Sequence, residues 1–414
     1  MEEKNSEKKE RKMRDSGIPW IGEVPEGWEF SKIKYHCTMK SGDNITALDI
    51  SDNGEYPVYG GNGLRGFYKI YNKNGNHILI GRQGALAGNV HLVNGKFWAT
   101  DHAVIVTLKN DVFINYFFRM LESMNLNQYA FDTAAQPGLS VSRIMNLNIV
   151  LPNLKEQHRI ADFLGSKCSE IDTLIENLRA RMESAKEYKK AVITEAVTKG
   201  LDKDAKMKDS GVEWIGEIPE GWKVVRFKHI ASIKSNLVQP DKYMKYPQIA
   251  PDNIEKDTGR LLSHQTVEES GVISGNHLFY RGQILYSKIR PNLNKLTVAP
   301  FDGLCSADMY PIESKLPTLF MVYSMLSTYF VSQVSLIIQD RVKMPKINQE
   351  ELGEIKVAVP SQQEMLTIAD YLDSKCSEID ALLQNYEYQI ATLEEYKKSL
   401  IYEYVTGKKE VPEA

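Results

Sequence analysis

The sequence predicts an internally duplicated α+β protein. Two globular α/β domains are separated by two long helices that pair with each other as a coiled coil. Three observations predict this. Residues 151–198 recur at 359–406 without a gap, with about half the positions identical, far above chance for an internal comparison. A Trp/Pro/Gly segment at 15–28 recurs at 209–222. Between these repeats, two dissimilar stretches alternate short strand-like runs with Gly- and Asn-rich turns.

A chain of 414 residues is long enough for two or three cores, and its apolar and charged fractions are those of an ordinary soluble protein. No apolar run approaches the length that spans a bilayer. Residues 1–14 are a charged run without an apolar centre, so they read as a disordered tail and neither a signal peptide nor an anchor. Cys37, Cys168, Cys305 and Cys376 are scattered, with no Cys-x-x-Cys or Cys/His zinc spacing. Reduced thiols and a cytoplasmic location are expected. The net charge of −3 excludes a generally basic protein, but much of the excess acid lies in the C-terminal repeat. A balanced domain can still present a basic face.

The lead-in Asp15–Trp28 carries Pro and Gly at positions that rule out regular helix, so its Trp and Ile residues are expected to pin a loop onto a neighbouring surface. The first variable domain closes a segment 15–150. Strands are expected at Tyr56–Tyr59, Gly66–Tyr71, His77–Ile80, Asn89–Val93 and His102–Leu108, with a helix over Val112–Ser123. Residues 151–200 form the first helical repeat. Asn153 and Glu156 cap a short amphipathic helix carrying Ile160, Ala161 and Leu164. A long helix follows, with a seam of Ile171, Leu174, Leu178, Met182, Ala185 and Val192. Residues 201–358 hold a linker, the second lead-in and the second variable domain. Its strands are expected at Gln283–Ser287, Lys295–Val298 and Met309–Ile312, and Thr318–Ile338 is one apolar helix or a pair.

The second helical repeat, 359–414, opens on the capping box Ser361/Glu364. Its seam runs Ile379, Leu382, Tyr386, Ile390, Leu393, Tyr396 and Leu400. A spacing near three and a half residues, kept for about four heptads, marks a coiled-coil seam. Each long helix would extend about 40 Å. Two matching seams in one chain imply that they pair with each other.

Ile78–Arg82 lines up with Ile284–Lys288, and Thr100-Asp101 with Ala307-Asp308, so the variable domains read as diverged copies of one fold. Gly61–Gly66 satisfies G-x-G-x-x-G, but no helix follows and no acid stands at the ribose position, so these are turn glycines. Asp101-His102 lacks a nucleophile elbow to complete a hydrolytic site. Candidate DNA contacts are Arg82 and Gln83 in a Gly-flanked loop, and Lys288, Arg290, Asn292 and Lys295 in a loop between strands. Arg341, Lys343 and Lys346 form a further basic cluster, opposite Gln136 and Arg143 in the first half. Arg and Lys pair with guanine edges, Asn and Gln with adenine edges, and all can hold phosphates.

Over essentially its whole length the chain resembles the specificity subunit of a type I restriction–modification system. The residues carrying the resemblance are the two Trp lead-ins, the loop Ile284–Pro291 and the helical repeats with Ile171-Asp172 and Ile379-Asp380. Glu187–Lys190, Glu395–Lys398, Val197-Thr198 and Val405-Thr406 fit as well. Met365 and Lys199 depart from the usual pattern. The resemblance implies two target-recognition domains related by pseudo-twofold symmetry, each reading half of a split sequence in double-stranded DNA, with an antiparallel coiled coil fixing the gap. It implies two methyltransferase subunits and motor-nuclease subunits as partners. S-adenosylmethionine, ATP and Mg2+ would be bound by those partners, with no cofactor and no chemistry in this chain. Two alternatives stay open on the residues alone: a metal-dependent nuclease using Asp252, Glu354 and Lys356, and a coiled-coil adaptor that binds only protein.

Overall fold

The computed structural model describes residues 11–84, 87–109, 111–131, 138–341 and 343–412. The chain divides into two compact units. One is Met1–Leu178 with Tyr388–Ala414, and the other is Arg179–Glu387. These units cut across the sequence repeats, because each helical repeat is shared out at its middle.

Both units are built alike. In the first, Cys37–Ser41, Ala103–Leu108, His77–Gly81 and Val90–Val93 make a four-stranded antiparallel sheet in that spatial order. In the second, Ala231–Ile233, Met309–Ser314, Ile284–Ser287 and Leu296–Val298 do the same. A second sheet in each unit contains one parallel pair, Tyr56–Gly60 with Lys96–Ala99 and Pro247–Ile249 with Gly303–Cys305. Gly81 faces Ala103 and Ser287 faces Met309 across equivalent ladders. His102 is therefore the counterpart of Asp308. This corrects the pairing of Asp101 with Asp308 by one residue, an offset that short strands with few shared letters leave open.

The central strands, including Ile78–Ile80 and Ile284–Tyr286, are buried on both faces. That explains why they read as unbroken apolar runs and not as alternating ones. Thr318–Leu326 and Thr328–Ile338 are two helices bent by 59°. They are apolar all round because Phe320, Met321, Tyr329 and Phe330 fill the core. Among the described residues no single helix is long and apolar enough to cross a membrane.

The lead-ins are hairpins. Met13–Asp15 pairs with Glu23–Pro25, and Met207–Asp209 with Glu217–Pro219. The segment 1–14 taken as a disordered tail thus contains ordered chain: Arg11 bonds Glu156 and Arg14 lies over the Phe30 ring, while residues 1–10 lie outside the described ones. Trp28 and Trp222 are buried as expected. Trp222 donates its indole N–H to Glu364 at 3.0 Å. That contact alters the capping box. Ser361 still accepts from the Glu364 amide, but the Glu364 carboxylate faces the lead-in tryptophan. In the first unit Arg11 takes the equivalent carboxylate, Glu156, and Trp28 Nε1 is left without a partner.

Each helical repeat is one helix, not a short and a long one: Leu154–Lys199 has 46 residues and Gln362–Val405 has 44. Their lengths are about 69 and 66 Å, against the 40 Å expected. Gly165 sits inside the first without breaking it, and its missing side chain leaves open space. In each unit the two helices run antiparallel. Phe163 packs against Tyr404 with tilted rings and Asp172 meets Lys397 in the first. Glu364 lies beside Gly200, and Asp380 meets Lys189, in the second.

The seam differs from the expected one at four positions, one of them Lys189, which joins the first helix's seam. Leu174, Leu382 and Tyr396 are 52%, 42% and 56% exposed. Ile175, Leu383 and Lys397 take their places, so both helices follow a strict four–three alternation: 171, 175, 178, 182, 185, 189, 192 and 379, 383, 386, 390, 393, 397, 400. At Leu174 and Leu382 two apolar neighbours compete in sequence, and packing against the partner helix decides between them.

Gly407 ends the second long helix at φ +72°, where an added Cβ would stand 2.6 Å from the Pro25 ring and 2.9 Å from Trp28. Gly407→Ala combines a left-handed backbone with overpacking, so it is expected to cost about 2–4 kcal/mol. A thermal melt should move down by roughly 5–15 °C. An unchanged midpoint would show that the helix end is not clamped.

Candidate nucleic-acid interface

The candidate residues sit on one hydrogen-bond frame that appears in both units. In the first, the Arg82 amide donates to the His102 carbonyl and the Leu139 amide donates to the Arg82 carbonyl, each at 2.9 Å. In the second, the Lys288 amide donates to the Asp308 carbonyl at 2.9 Å and the Ile347 amide donates to the Lys288 carbonyl at 3.0 Å. Gln83 bridges to Gly138, and Ile289 to Lys346. One residue beyond each frame a side chain caps a helix: Ser140 accepts from the Arg143 amide, and Asn348 from the Glu351 amide. The loop after a central strand and the loop before a capped helix are therefore tied together, and their side chains share one edge.

In the first unit Arg82 and Gln83 are exposed, and the Arg82 guanidinium donates to the Ser41 hydroxyl at 3.2 Å. Arg143 is exposed beside them, with its guanidinium over the Tyr129 ring at 5.5 Å. Gln136 lies outside the described residues. The hairpin turn at Gly60–Gly63 packs onto the same edge. A Cβ on Gly61 would come within 3.1 Å of the His102 carbonyl oxygen and 3.6 Å of that of Gln83. Gly61 and Asn62 make the turn, while the strand expected from Gly66 begins at Gly63 and runs to Tyr68, and Gly61 permits close approach to the loop. Leu64 and Arg65, both exposed, follow this turn. Arg65 was not among the candidates, because a lone Arg after a turn carries no pattern. The two glycines before it were the available signal.

In the second unit Arg290 and Asn292 are exposed. Arg290 has φ +43°, a conformation that non-glycine residues rarely adopt. Its amide donates to the Pro345 carbonyl at 2.8 Å, which holds the two loops in contact and turns the guanidinium outward. Asn294, also left-handed, closes the short turn Pro291–Leu293. Lys343 is exposed in the facing loop.

Other candidates are engaged within the unit. Lys288 lies 5.3 Å from the centre of the Tyr310 ring, and Lys295 donates to the Pro251 carbonyl at 2.9 Å. Lys346 pairs with Asp308 at 3.2 Å. Arg341 donates to both Glu351 carboxylate oxygens and to the Lys346 carbonyl. Its hydrogen bonds hold the Glu351 carboxyl below the usual range. The expected cluster of Arg341, Lys343 and Lys346 is therefore largely neutralised, with Lys343 the most available member.

The nuclease alternative finds no site. Glu354 is bound to Lys228 and lies 3.2 Å from Arg226, and the Lys228 hydrogen bond lowers its pKa. Asp252 stands fully exposed on a separate turn, 3.9 Å from Lys295. Among the described residues no group of three or more His, Cys, Asp or Glu side chains could hold a metal ion.

A family model described as Type I restriction modification DNA specificity domain matches residues 25–184. The EcoDI specificity subunit of a type I restriction enzyme from Escherichia coli is 34% identical over 267 residues, covering 60% of this chain and 60% of that one. The EcoprrI specificity subunit, also from Escherichia coli, is 41% identical over 152 residues but covered for only 38% of its length. The MjaVIII specificity subunit from Methanocaldococcus jannaschii is 28% identical across 93% of both chains. A solved chain, described in terms of complex assembly and conformational transition of the type I R-M system, shares the fold. It has a TM-score of 0.65 at 15% identity, and the match covers 93% of this chain and 99% of that one. Residues 25–184 match that domain model, and the chain is similar along part or nearly all of its length to type I restriction–modification specificity subunits, spanning under two thirds of the length of the two Escherichia coli relatives.

Proposed function

We propose that this chain is the DNA-reading subunit of a type I restriction–modification complex. Each variable domain reads one half of a bipartite target in double-stranded DNA, and the paired helices set the gap. Two methyltransferase subunits bound to the chain methylate adenine, and motor-nuclease subunits translocate and cleave. S-adenosylmethionine, ATP and Mg2+ belong to those partners. The chain's own part is binding and positioning, without bond making or breaking.

The observation that carries this reading is the repeated frame around Arg82 and Lys288. The same backbone hydrogen bonds present different exposed side chains in the two units: Arg82 and Gln83 in one, Arg290 and Asn292 in the other. A constant frame with variable tips is what two readers of unlike half-sites need. Arg and Gln or Asn are the side chains that make paired hydrogen bonds to guanine and adenine edges.

DNA titrations of the chain bound to its methyltransferase test it. Affinity for a duplex should fall steeply as salt rises, and Lys343→Ala should lower the slope of log K against log salt by about one. Binding that is absent, or indifferent to salt, would contradict the proposal.

A further inference from the structure

We propose that two ion pairs, Lys189–Asp380 and Lys397–Asp172, lock the register of the paired helices. Their consequence for the DNA gap rests on the function proposed above. The lysines occupy seam positions, where the four–three alternation otherwise places apolar residues. Lys189 keeps only 11% of its side chain exposed and Lys397 20%. Each ammonium reaches both oxygens of its aspartate at 2.7 Å. The two pairs are the same pair made twice, since Lys189 and Lys397 are equivalent positions of the repeats, as are Asp172 and Asp380.

An apolar seam holds two helices together but discriminates poorly between registers one heptad apart. A polar residue at a single seam position does discriminate, at some expense of stability. The sequence permits the comparison here. A slip of one heptad in one direction sets Lys397 opposite Arg179 and leaves Asp172 opposite Tyr404 and Asp380 opposite Ala196, while Lys189 meets Glu387. A slip in the other direction sets Lys397 opposite Gly165, with Asp172 opposite Ile390 and Asp380 opposite Met182, while Lys189 meets Asp373, so Lys397 is the lysine left unpaired in both. Of these three registers, only the observed one gives both lysines an acid and both aspartates a base. Burying an unpaired ammonium in the seam disfavours the slipped states.

The test uses spin labels on cysteines introduced at Leu174 and Tyr396, both exposed, in the full chain, whose four native cysteines are buried. The parent protein should show one distance. K189M/K397M, which fills the seam with apolar side chains, should stay folded yet show a second population shifted by up to about 10 Å, one heptad of rise. The fourfold swap D172K/K189D/D380K/K397D should restore the single distance. One unchanged distance in K189M/K397M would overturn the lock. Should that variant lose its helical circular dichroism, the swap decides: one distance supports the lock and a mixture overturns it. Methylation mapping then separates the two ideas. A second distance with an unchanged gap would leave the lock standing and remove the ruler.

Discussion

Arg290→Ala is expected to weaken binding to the cognate duplex by about 5–150-fold, or about 1–3 kcal/mol, with the loss confined to one half-site. The guanidinium is exposed, and its backbone is held in a left-handed turn by the Pro345 carbonyl, so the side chain is presented outward without an internal role to lose. The comparison residue is Arg341. Its guanidinium bonds Glu351 and the Lys346 carbonyl, so Arg341→Ala should act on loop order and stability before it acts on base choice. Competition with duplexes altered in one half-site or the other separates these effects. After Arg290→Ala, a substitution in the affected half-site should no longer matter, while the other half-site keeps its full discrimination. Equal loss at both would show that the units are not independent readers.

Lengthening both helices by one heptad is expected to widen the gap between half-sites by about three base pairs, without changing either half-site. Seven residues add about 10 Å of helix, against 3.4 Å per base step. The insertions belong after Ala185 and after Leu383, which lie between the two ion pairs. Both Lys–Asp pairs and the phase of the seam then survive. The same insertion in one helix alone cannot satisfy both pairs, and is expected to abolish methylation of any single-gap motif. A paired insertion that leaves the gap unchanged would mean that the helices do not measure DNA.

Much of the fold was legible in the sequence because the repeats are long and their periodicities clean. The buried face Tyr116, Phe117, Met120 and Leu121 followed from helical spacing, and the central strands from apolar runs. What escaped was set by tertiary contact. The first repeat read as a short helix followed by a long one, yet one helix runs from Leu154 to Lys199. Leu174 and Ile175 are equally apolar, and the partner helix alone chooses between them. Glu364 has the right spacing for a capping box, but a tryptophan 142 residues away takes its carboxylate. At the candidate interface, sequence singled out loops by their Arg, Lys and Asn content, and the fold ties those loops to one hydrogen-bond frame. Sequence could not tell Arg290, turned outward, from Lys295 and Arg341, whose charges are met inside the unit.

The most direct measurement is a genome-wide map of N6-methyladenine in cells expressing this chain with its methyltransferase. The account predicts a split motif, two short half-sites around one fixed gap, with Arg290→Ala relaxing one half-site and leaving the other intact. A continuous motif, or a split motif that Arg290→Ala leaves unchanged, would contradict it.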